Sequence, residues 1–197
     1  MKLNKKVLAL LVLGGLSVSG NSMAGTPSAL DLANTCAGCH GVDGSSNGPA
    51  IPSIAGVSPD YFKDAMMDYK DADGRYSTIM ARIAKGYTEE EIGLMAGYFS
   101  KQKMVPADQK FDATQAKAGA KLHKKYCEKC HEDGGKSAED DAGVLAGQWT
   151  AYLHYAMDDF TNGRRDMPKK MKKKVQKLQK KDAKGMEKLL NYYGSQK

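Results

Sequence analysis

The chain contains a five-residue pattern that can do redox chemistry, and it contains the pattern twice. C-x-x-C-H occurs at residues 36–40 and again at residues 127–131, and the two copies use all four cysteines of the chain. In such a motif two thiols add covalently to the vinyl groups of a haem, and the adjacent histidine binds the iron. We therefore predict two covalently bound haem c groups, attached through Cys36, Cys39, Cys127 and Cys130.

Three other uses of four cysteines explain the pattern less well. In an oxidising compartment cysteines pair as disulfides, and C-x-x-C pairs also bind zinc or act as redox dithiols. Disulfide pairing gives no reason for a histidine directly after both pairs. Adjacent Cys and His are awkward as joint tetrahedral zinc ligands. A thioredoxin-like dithiol needs only one pair and a βαβ pattern, which we do not find.

His40 and His131 are the predicted fifth ligands of the two irons. In each ring the second nitrogen needs an acceptor that fixes the tautomer. Spacing suggests a backbone carbonyl about a dozen residues later, at Pro52 in the first half and at Gly143 in the second. His123 and His154 have no counterparts in the first half, and we interpret them as surface residues or as residues that contact the iron ligands from outside.

The predicted sixth ligands are Met80 and Met167, which lie at comparable places after the two histidines. Met171 is the alternative to Met167. Met66 and Met157 also match between the halves, but they stand at helical spacing among aromatic residues, where methionine usually fills a core. A thioether opposite imidazole raises the potential of a haem iron. An iron with both axial positions filled has no vacancy for a substrate. We therefore predict electron transfer and no catalytic residues. A haem enzyme with one open iron is the alternative from another class.

The N-terminus predicts export. Residues 1–24 combine a lysine-containing start, an apolar stretch at 7–19 and the small residues Ser22 and Ala24 before a cleavage point, as in a signal peptide. A retained anchor is the alternative. After cleavage we expect a periplasmic protein with no membrane span.

Charge is unevenly distributed along the chain. Residues 25–105 carry a net charge of −3 and residues 106–197 carry +7. We do not expect nucleic-acid binding, because export and the haem motifs oppose it. The lysine-rich segment 169–184 has apolar residues at helical spacing, which predicts an amphipathic helix over the second haem. Its lysines could also dock an acidic electron partner or an anionic membrane surface.

An internal repeat organises the mature chain. An offset of 91 residues superimposes both haem motifs and also aligns Ile54-Ala55-Gly56 with Leu145-Ala146-Gly147. We predict an all-α fold with two tandem domains, 25–105 and 106–197, that arose by internal duplication. The predicted helices cover Ala29–Ala37, Ala113–Glu128, a segment from Pro59, residues 149–160, a short helix near each candidate methionine, and segments after Thr88 and Asp182.

Further motifs carry a family resemblance. They read C-A-G-C-H-G, P-S-I-A-G, S-T-I-M-A-R-I-A-K-G-Y, M-A-G-Y-F, Y-C-E-K-C-H, L-A-G-Q-W-T and Y-A-M-D-D-F. With them, nearly the whole mature chain resembles the two-haem cytochrome subunit of flavocytochrome c sulfide dehydrogenase. It is similar, more distantly, to the c4-type two-haem cytochromes.

The resemblance implies two class I cytochrome c domains whose irons are bound by His40 with Met80 and by His131 with Met167. It implies a heterodimer with a flavoprotein subunit that carries covalent FAD and oxidises sulfide. Electrons would pass from that flavin through the first and second domains to a small soluble cytochrome, so the chain itself would be the non-catalytic subunit. The alternative is a freestanding c4-like shuttle to a terminal oxidase.

Overall fold

The computed structural model describes residues 25–137 and 142–197, so the predicted signal peptide lies outside the described residues. Within them the fold is helical and contains no strand. The helices are α1 (Ala29–Asn34), α2 (Ala37–His40), α3 (Pro59–Asp71), α4 (Met80–Ala84), α5 (Glu89–Phe99), α6 (Ala113–Tyr126), α7 (Glu132–Gly135), α8 (Thr150–Thr161), α9 (Lys169–Lys181) and α10 (Gly185–Gly194). None of the described helices is both long and apolar enough to cross a membrane.

Each half is built around a contact between its first and last helices. In the first half α1 packs on α5, and α3 packs on α4 and α5. In the second half α6 packs on α10, with α8 and α9 against the same helix. One core centres on Ile92, Met95 and Phe99, and a separate core centres on Leu189 and Leu190. The predicted all-α architecture with two tandem units is therefore confirmed.

The duplication is visible in the backbone of the glycine-rich loops. In the first half Ile54 and Ala55 donate their N–H groups to the carbonyl of Gly44, and in the second half Leu145 and Ala146 donate to Gly135. Gly44 has a φ of 88° and Gly135 a φ of 92°. Both loops therefore need glycine at the residue that accepts the paired bonds, because side chains disfavour this left-handed conformation.

Local sequence signals explain where several helices begin. Ser58 caps α3 and Pro59 is its first residue, as the sequence predicted. Thr88 and Glu91 form a reciprocal capping box at the start of α5, which satisfies two backbone N–H groups that have no partner in the helix. Asp112 caps α6 by accepting from two backbone N–H groups.

The predicted bounds of the first helix were wrong. The helix predicted over 29–37 ends at Asn34, because the Thr35 hydroxyl bonds to the Leu32 carbonyl and the next turn starts anew at Ala37. The loop after the second C-x-x-C-H motif contains the four-residue segment α7, in which Asp133 and Gly134 have left-handed backbone angles. The amphipathic helix predicted from the lysine-rich segment 169–184 is α9, which is 13 residues long, because lysine and leucine favour helix and Leu178 gives it a buried residue.

The two halves meet along a hydrogen-bonded boundary. The Gln148 side chain bonds to the backbone of Ser53, and the Trp149 indole N–H donates to the Ser46 carbonyl at 2.8 Å. Elsewhere the backbones of Arg75 and Arg165 form an isolated antiparallel β-bridge. These contacts join residues about a hundred positions apart in the chain and hold the loop after the first C-x-x-C-H motif against the second half.

Candidate haem-binding sites

His40 is held in an orientation suited to binding a metal. It is buried, and its Nδ1 lies 2.8 Å from the carbonyl oxygen of Pro52. A carbonyl can only accept, so Nδ1 carries the proton and Nε2 keeps its lone pair. Burial lowers the pKa of the imidazole and the Pro52 bond opposes that shift, so the ring is neutral at pH 7. The predicted role of the Pro52 carbonyl is confirmed.

Both C-x-x-C-H motifs fold into the same single turn. In the first, the N–H groups of Cys39 and His40 donate to the Cys36 carbonyl at 3.2 and 2.9 Å. In the second, Cys130 and His131 donate to Cys127 at 3.1 and 3.0 Å. The turn brings two thiols and one imidazole close together in each half, as attachment along a haem edge requires. The bond predicted between His131 and Gly143 stays a prediction.

The four cysteines are free thiols with a matching exposure in both halves. Cys36 and Cys127 are half-buried, whereas Cys39 and Cys130 are exposed. Burial raises the pKa of the Cys36 thiol, although the Thr35 hydroxyl opposes the shift. Burial likewise raises the pKa of Cys127 against the opposing effects of Tyr193 and Lys174. The repeated arrangement fits two equivalent attachment sites.

The candidate methionines lie near helix starts. Met80 is the first residue of α4, and its N–H donates to the Ser77 hydroxyl at 3.1 Å; its side chain packs against the first core. Met167 lines a cavity of about 410 Å³ together with Phe160 and Val175. Met66 is buried in the first core, as expected of a packing residue. The choice of Met80 and Met167 as iron ligands stays a prediction.

Two arginines at the boundary between the halves lack a carboxylate partner among the described residues. Arg75 lies over the rings of Tyr61 and Tyr69 at 5.5 and 5.3 Å, and its buried Nε has no hydrogen-bond partner within the described part of the chain. Arg165 donates to the Tyr61 hydroxyl at 3.3 Å. Burial alone would raise the pKa of Tyr61, but the charges of Arg165 and Arg75 outweigh burial and lower it.

These residues fit a haem. Each motif supplies two thiols and an imidazole, and His40 has the tautomer that leaves Nε2 for iron. Buried positive charge is stable only when it is paired. The guanidinium groups of Arg75 and Arg165 therefore suit the carboxylates that a haem carries.

Two functional candidates escaped sequence reasoning. His123 is fully buried, so its interpretation as a surface residue was wrong; its Nδ1 lies 2.9 Å from the Tyr193 hydroxyl, and Nε2 contacts the Glu128 carboxylate. The repeat offset of 91 aligns it with the apolar Leu32, a signal of burial that was available. Gln148, inside the quoted L-A-G-Q-W-T motif, is also buried, and no local pattern marks its partner.

Comparison with protein families identifies both halves. Residues 28–103 match the family model described as cytochrome c, and residues 114–186 match the model described as cytochrome c oxidase, cbb3-type, subunit III. The fold and the sites thus define a c-type cytochrome made of two cytochrome c domains.

Comparison with individual proteins shows which c-type cytochromes this chain is similar to. The cytochrome subunit of sulfide dehydrogenase from Chlorobaculum tepidum is 56% identical over 68 residues, which cover 34% of this chain and 60% of that relative. Cytochrome c4 from Pseudomonas aeruginosa is 30% identical over 173 residues, covering 83% of this chain and 84% of the relative. The crystal structure of reduced cytochrome c4 from Pseudomonas stutzeri matches with a TM-score of 0.73 at 26% identity, over 86% of this chain and 97% of that one.

The chain therefore belongs to the cytochrome c4 family of two-haem electron-transfer cytochromes. It is also related to the cytochrome subunit of sulfide dehydrogenase.

Proposed function

We propose that this chain is the periplasmic electron-transfer subunit of a sulfide dehydrogenase. It accepts electrons from an FAD-containing flavoprotein subunit, with which it forms a heterodimer, and passes them to a small soluble cytochrome. The observation that carries this proposal is the 56% identity to the Chlorobaculum tepidum subunit, against 30% to cytochrome c4 over a longer alignment.

The proposed residue roles follow the two domains, 25–105 and 106–197. Cys36 and Cys39 would attach one haem, and Cys127 and Cys130 would attach the other. His40 with Met80 would bind the first iron, and His131 with Met167 would bind the second. A haem iron supplies reversible one-electron chemistry. The protein residues bind the group covalently, orient the imidazole and leave no position on the iron for substrate. The guanidinium groups of Arg75 and Arg165 neutralise haem carboxylates at the boundary.

A second candidate is a freestanding c4-like shuttle to a terminal oxidase. The observation that favours it is the length of the c4 alignment, 83% of the chain. The two candidates differ in partner and share the haem sites, so the experiment must test for the flavoprotein.

The deciding experiment is gentle purification from periplasm, followed by visible spectra before and after sulfide is added. The proposal predicts co-purifying flavin, two low-spin c haems per chain and haem reduction by sulfide. Two low-spin haems without flavin and without a response to sulfide would favour the shuttle. A high-spin haem that readily binds carbon monoxide would instead indicate the haem enzyme.

Helix α9 is the proposed docking surface for the soluble acceptor. Its eight lysines are all exposed, and none forms a salt bridge within the described part of the chain. Helix α9 packs against α6, which ends directly before Cys127, so α9 lies beside the second attachment site. An acidic protein bound to α9 would therefore lie close to the second haem.

We expect the triple variant Lys173→Gln, Lys177→Gln, Lys180→Gln to slow electron transfer to an acidic soluble cytochrome about tenfold at low ionic strength. These exposed lysines lie away from the apolar face of α9 that Met171, Val175 and Leu178 form, so the fold should be unaffected. Stopped-flow absorbance at several salt concentrations measures the rates. The rates of the variant and of the unmodified protein should converge at about 0.5 M salt, because the charges are then screened.

The matched control is the double variant Lys101→Gln, Lys103→Gln, which removes exposed lysines from the first half. It should leave the rate nearly unchanged. A basic cytochrome c provides the opposite probe, and the α9 variant should accelerate its reaction. Equal slowing by both variants would show that net charge, rather than α9, guides the acceptor.

A further inference from the structure

Gln148 from the second half is buried against the loop that orients His40 in the first half. Its side chain is 2% exposed and Ser53, its partner, is also 2% exposed. The Ser53 N–H donates to Gln148 Oε1 at 3.0 Å, and Gln148 Nε2 donates to the Ser53 carbonyl at 2.7 Å. Both polar ends of the amide are therefore satisfied by one residue across the boundary.

One of these two bonds lies on the peptide unit that holds His40. The Ser53 N–H and the Pro52 carbonyl belong to the same peptide bond. The carbonyl accepts from His40 Nδ1 at 2.8 Å, while the N–H on the other side donates to Gln148. A continuous chain of hydrogen bonds thus runs from the Gln148 amide through one peptide group to the imidazole.

Hydrogen bonds in such a chain strengthen one another. When a peptide N–H donates, its carbonyl oxygen becomes more negative and accepts more strongly. A stronger acceptor at Nδ1 makes the imidazole a better electron donor through Nε2 and fixes the orientation of the ring. Electron donation to iron favours the ferric state, so Gln148 should lower the potential of the first haem.

The residue of the first half that corresponds to Gln148 cannot make this contact with the second half. The repeat offset of 91 aligns Gln148 with Val57, whose side chain carries no hydrogen-bonding group and is buried in the first core. The hydrogen bonds of Gln148 are therefore not duplicated by its counterpart, and through them the second domain acts on the histidine of the first. This asymmetry makes the second haem an internal control for the first.

We propose that Gln148 is a positioning residue for the first haem, acting across the domain boundary through the Pro52–Ser53 peptide on His40. The inference rests on the proposed binding of iron by His40, but it does not depend on the flavoprotein partner. Docking of the two domains then sets both the orientation of His40 and the difference in potential between the two haems.

The test is spectroelectrochemical titration of the full haem-loaded protein carrying Gln148→Met. Methionine keeps the length of the side chain and removes both hydrogen bonds. We expect the ratio of ferrous to ferric first haem at a fixed electrode potential to rise roughly two- to threefold. The second haem should keep its potential, and the hyperfine-shifted proton resonances of His40 should move in the paramagnetic NMR spectrum.

Trp149→Phe is the matched control variant. It removes a different hydrogen bond across the boundary, from the indole to the Ser46 carbonyl, and leaves the Pro52–Ser53 peptide bonded. An equal shift in the potential of the first haem in both variants would overturn the proposal. Any disturbance of the domain boundary would then change the potential, whether or not it involved Gln148. An unchanged first-haem potential in a folded, low-spin Gln148→Met protein would overturn it as well.

A second variant covers the case in which Gln148→Met does not fold. Gln148→Asn keeps the amide but shortens the side chain by one methylene, so the amide can no longer reach both Ser53 atoms, and the same rise is expected. If His40 does not bind the iron, the first haem of the unmodified protein will not show a low-spin spectrum. That result would contradict the proposed ligand and is distinguishable from a failure of the Gln148 proposal.

Discussion

Replacing Gly119 with alanine is expected to destabilise the second domain by about 3 kcal/mol or more. Gly119 is buried in α6, where α6 crosses α10. A Cβ at this position would lie 2.1 Å from the Lys188 carbonyl oxygen and 2.7 Å from its carbon. Both atoms belong to the α10 backbone, so no side-chain rotation can relieve the overlap and the two helices must separate.

Thermal unfolding of the haem-loaded protein, followed by circular dichroism at 222 nm, measures this effect. A loss of about 3 kcal/mol should lower the melting temperature of the affected domain by roughly 12–24 °C. The control is Gly97→Ala in α5, where a Cβ would meet no atom within 4 Å. Alanine there should raise stability by roughly 0.5–1 kcal/mol, and a similar loss in both variants would contradict the close contact of α6 with α10.

Replacing Met80 with alanine is expected to convert the first haem from low spin to high spin and to lower its midpoint potential by on the order of 0.1–0.3 V. The physical reason is the loss of a thioether ligand that favours ferrous iron. Visible spectra with and without carbon monoxide give the spin state and show the vacant position. Met167→Ala should have the same effect on the second haem.

Two rival methionines provide controls for this prediction. Met66→Ala should keep both haems low-spin while reducing the free energy of unfolding by about 2–5 kcal/mol, because Met66 is 5% exposed in the first core. Met171→Ala should leave the second haem low-spin, since Met171 is predicted to be a residue of the α9 apolar face. If Met171→Ala makes the second haem high-spin and Met167→Ala does not, Met171 and not Met167 is the sixth ligand.

Much of this protein follows from short-range sequence signals. The C-x-x-C-H turns, the capping residues Ser58 and Thr88, and the repeat offset of 91 each depend on residues close together or on direct comparison of the two halves. The bond from His40 to Pro52 was predictable for the same reason, because it lies within a single loop of 12 residues. These features established the all-α fold and the candidate ligands.

Only the tertiary structure showed how the domains act on each other. Gln148 and Ser53 are separated by 95 positions, and the Arg75 to Arg165 bridge joins opposite halves. The burial of His123 beside Tyr193 also requires two helices to meet across 70 positions. Hydrophobic periodicity and capping patterns describe one helix or loop at a time. They carry no information on which distant side chains share a buried hydrogen bond, because packing of whole domains decides that.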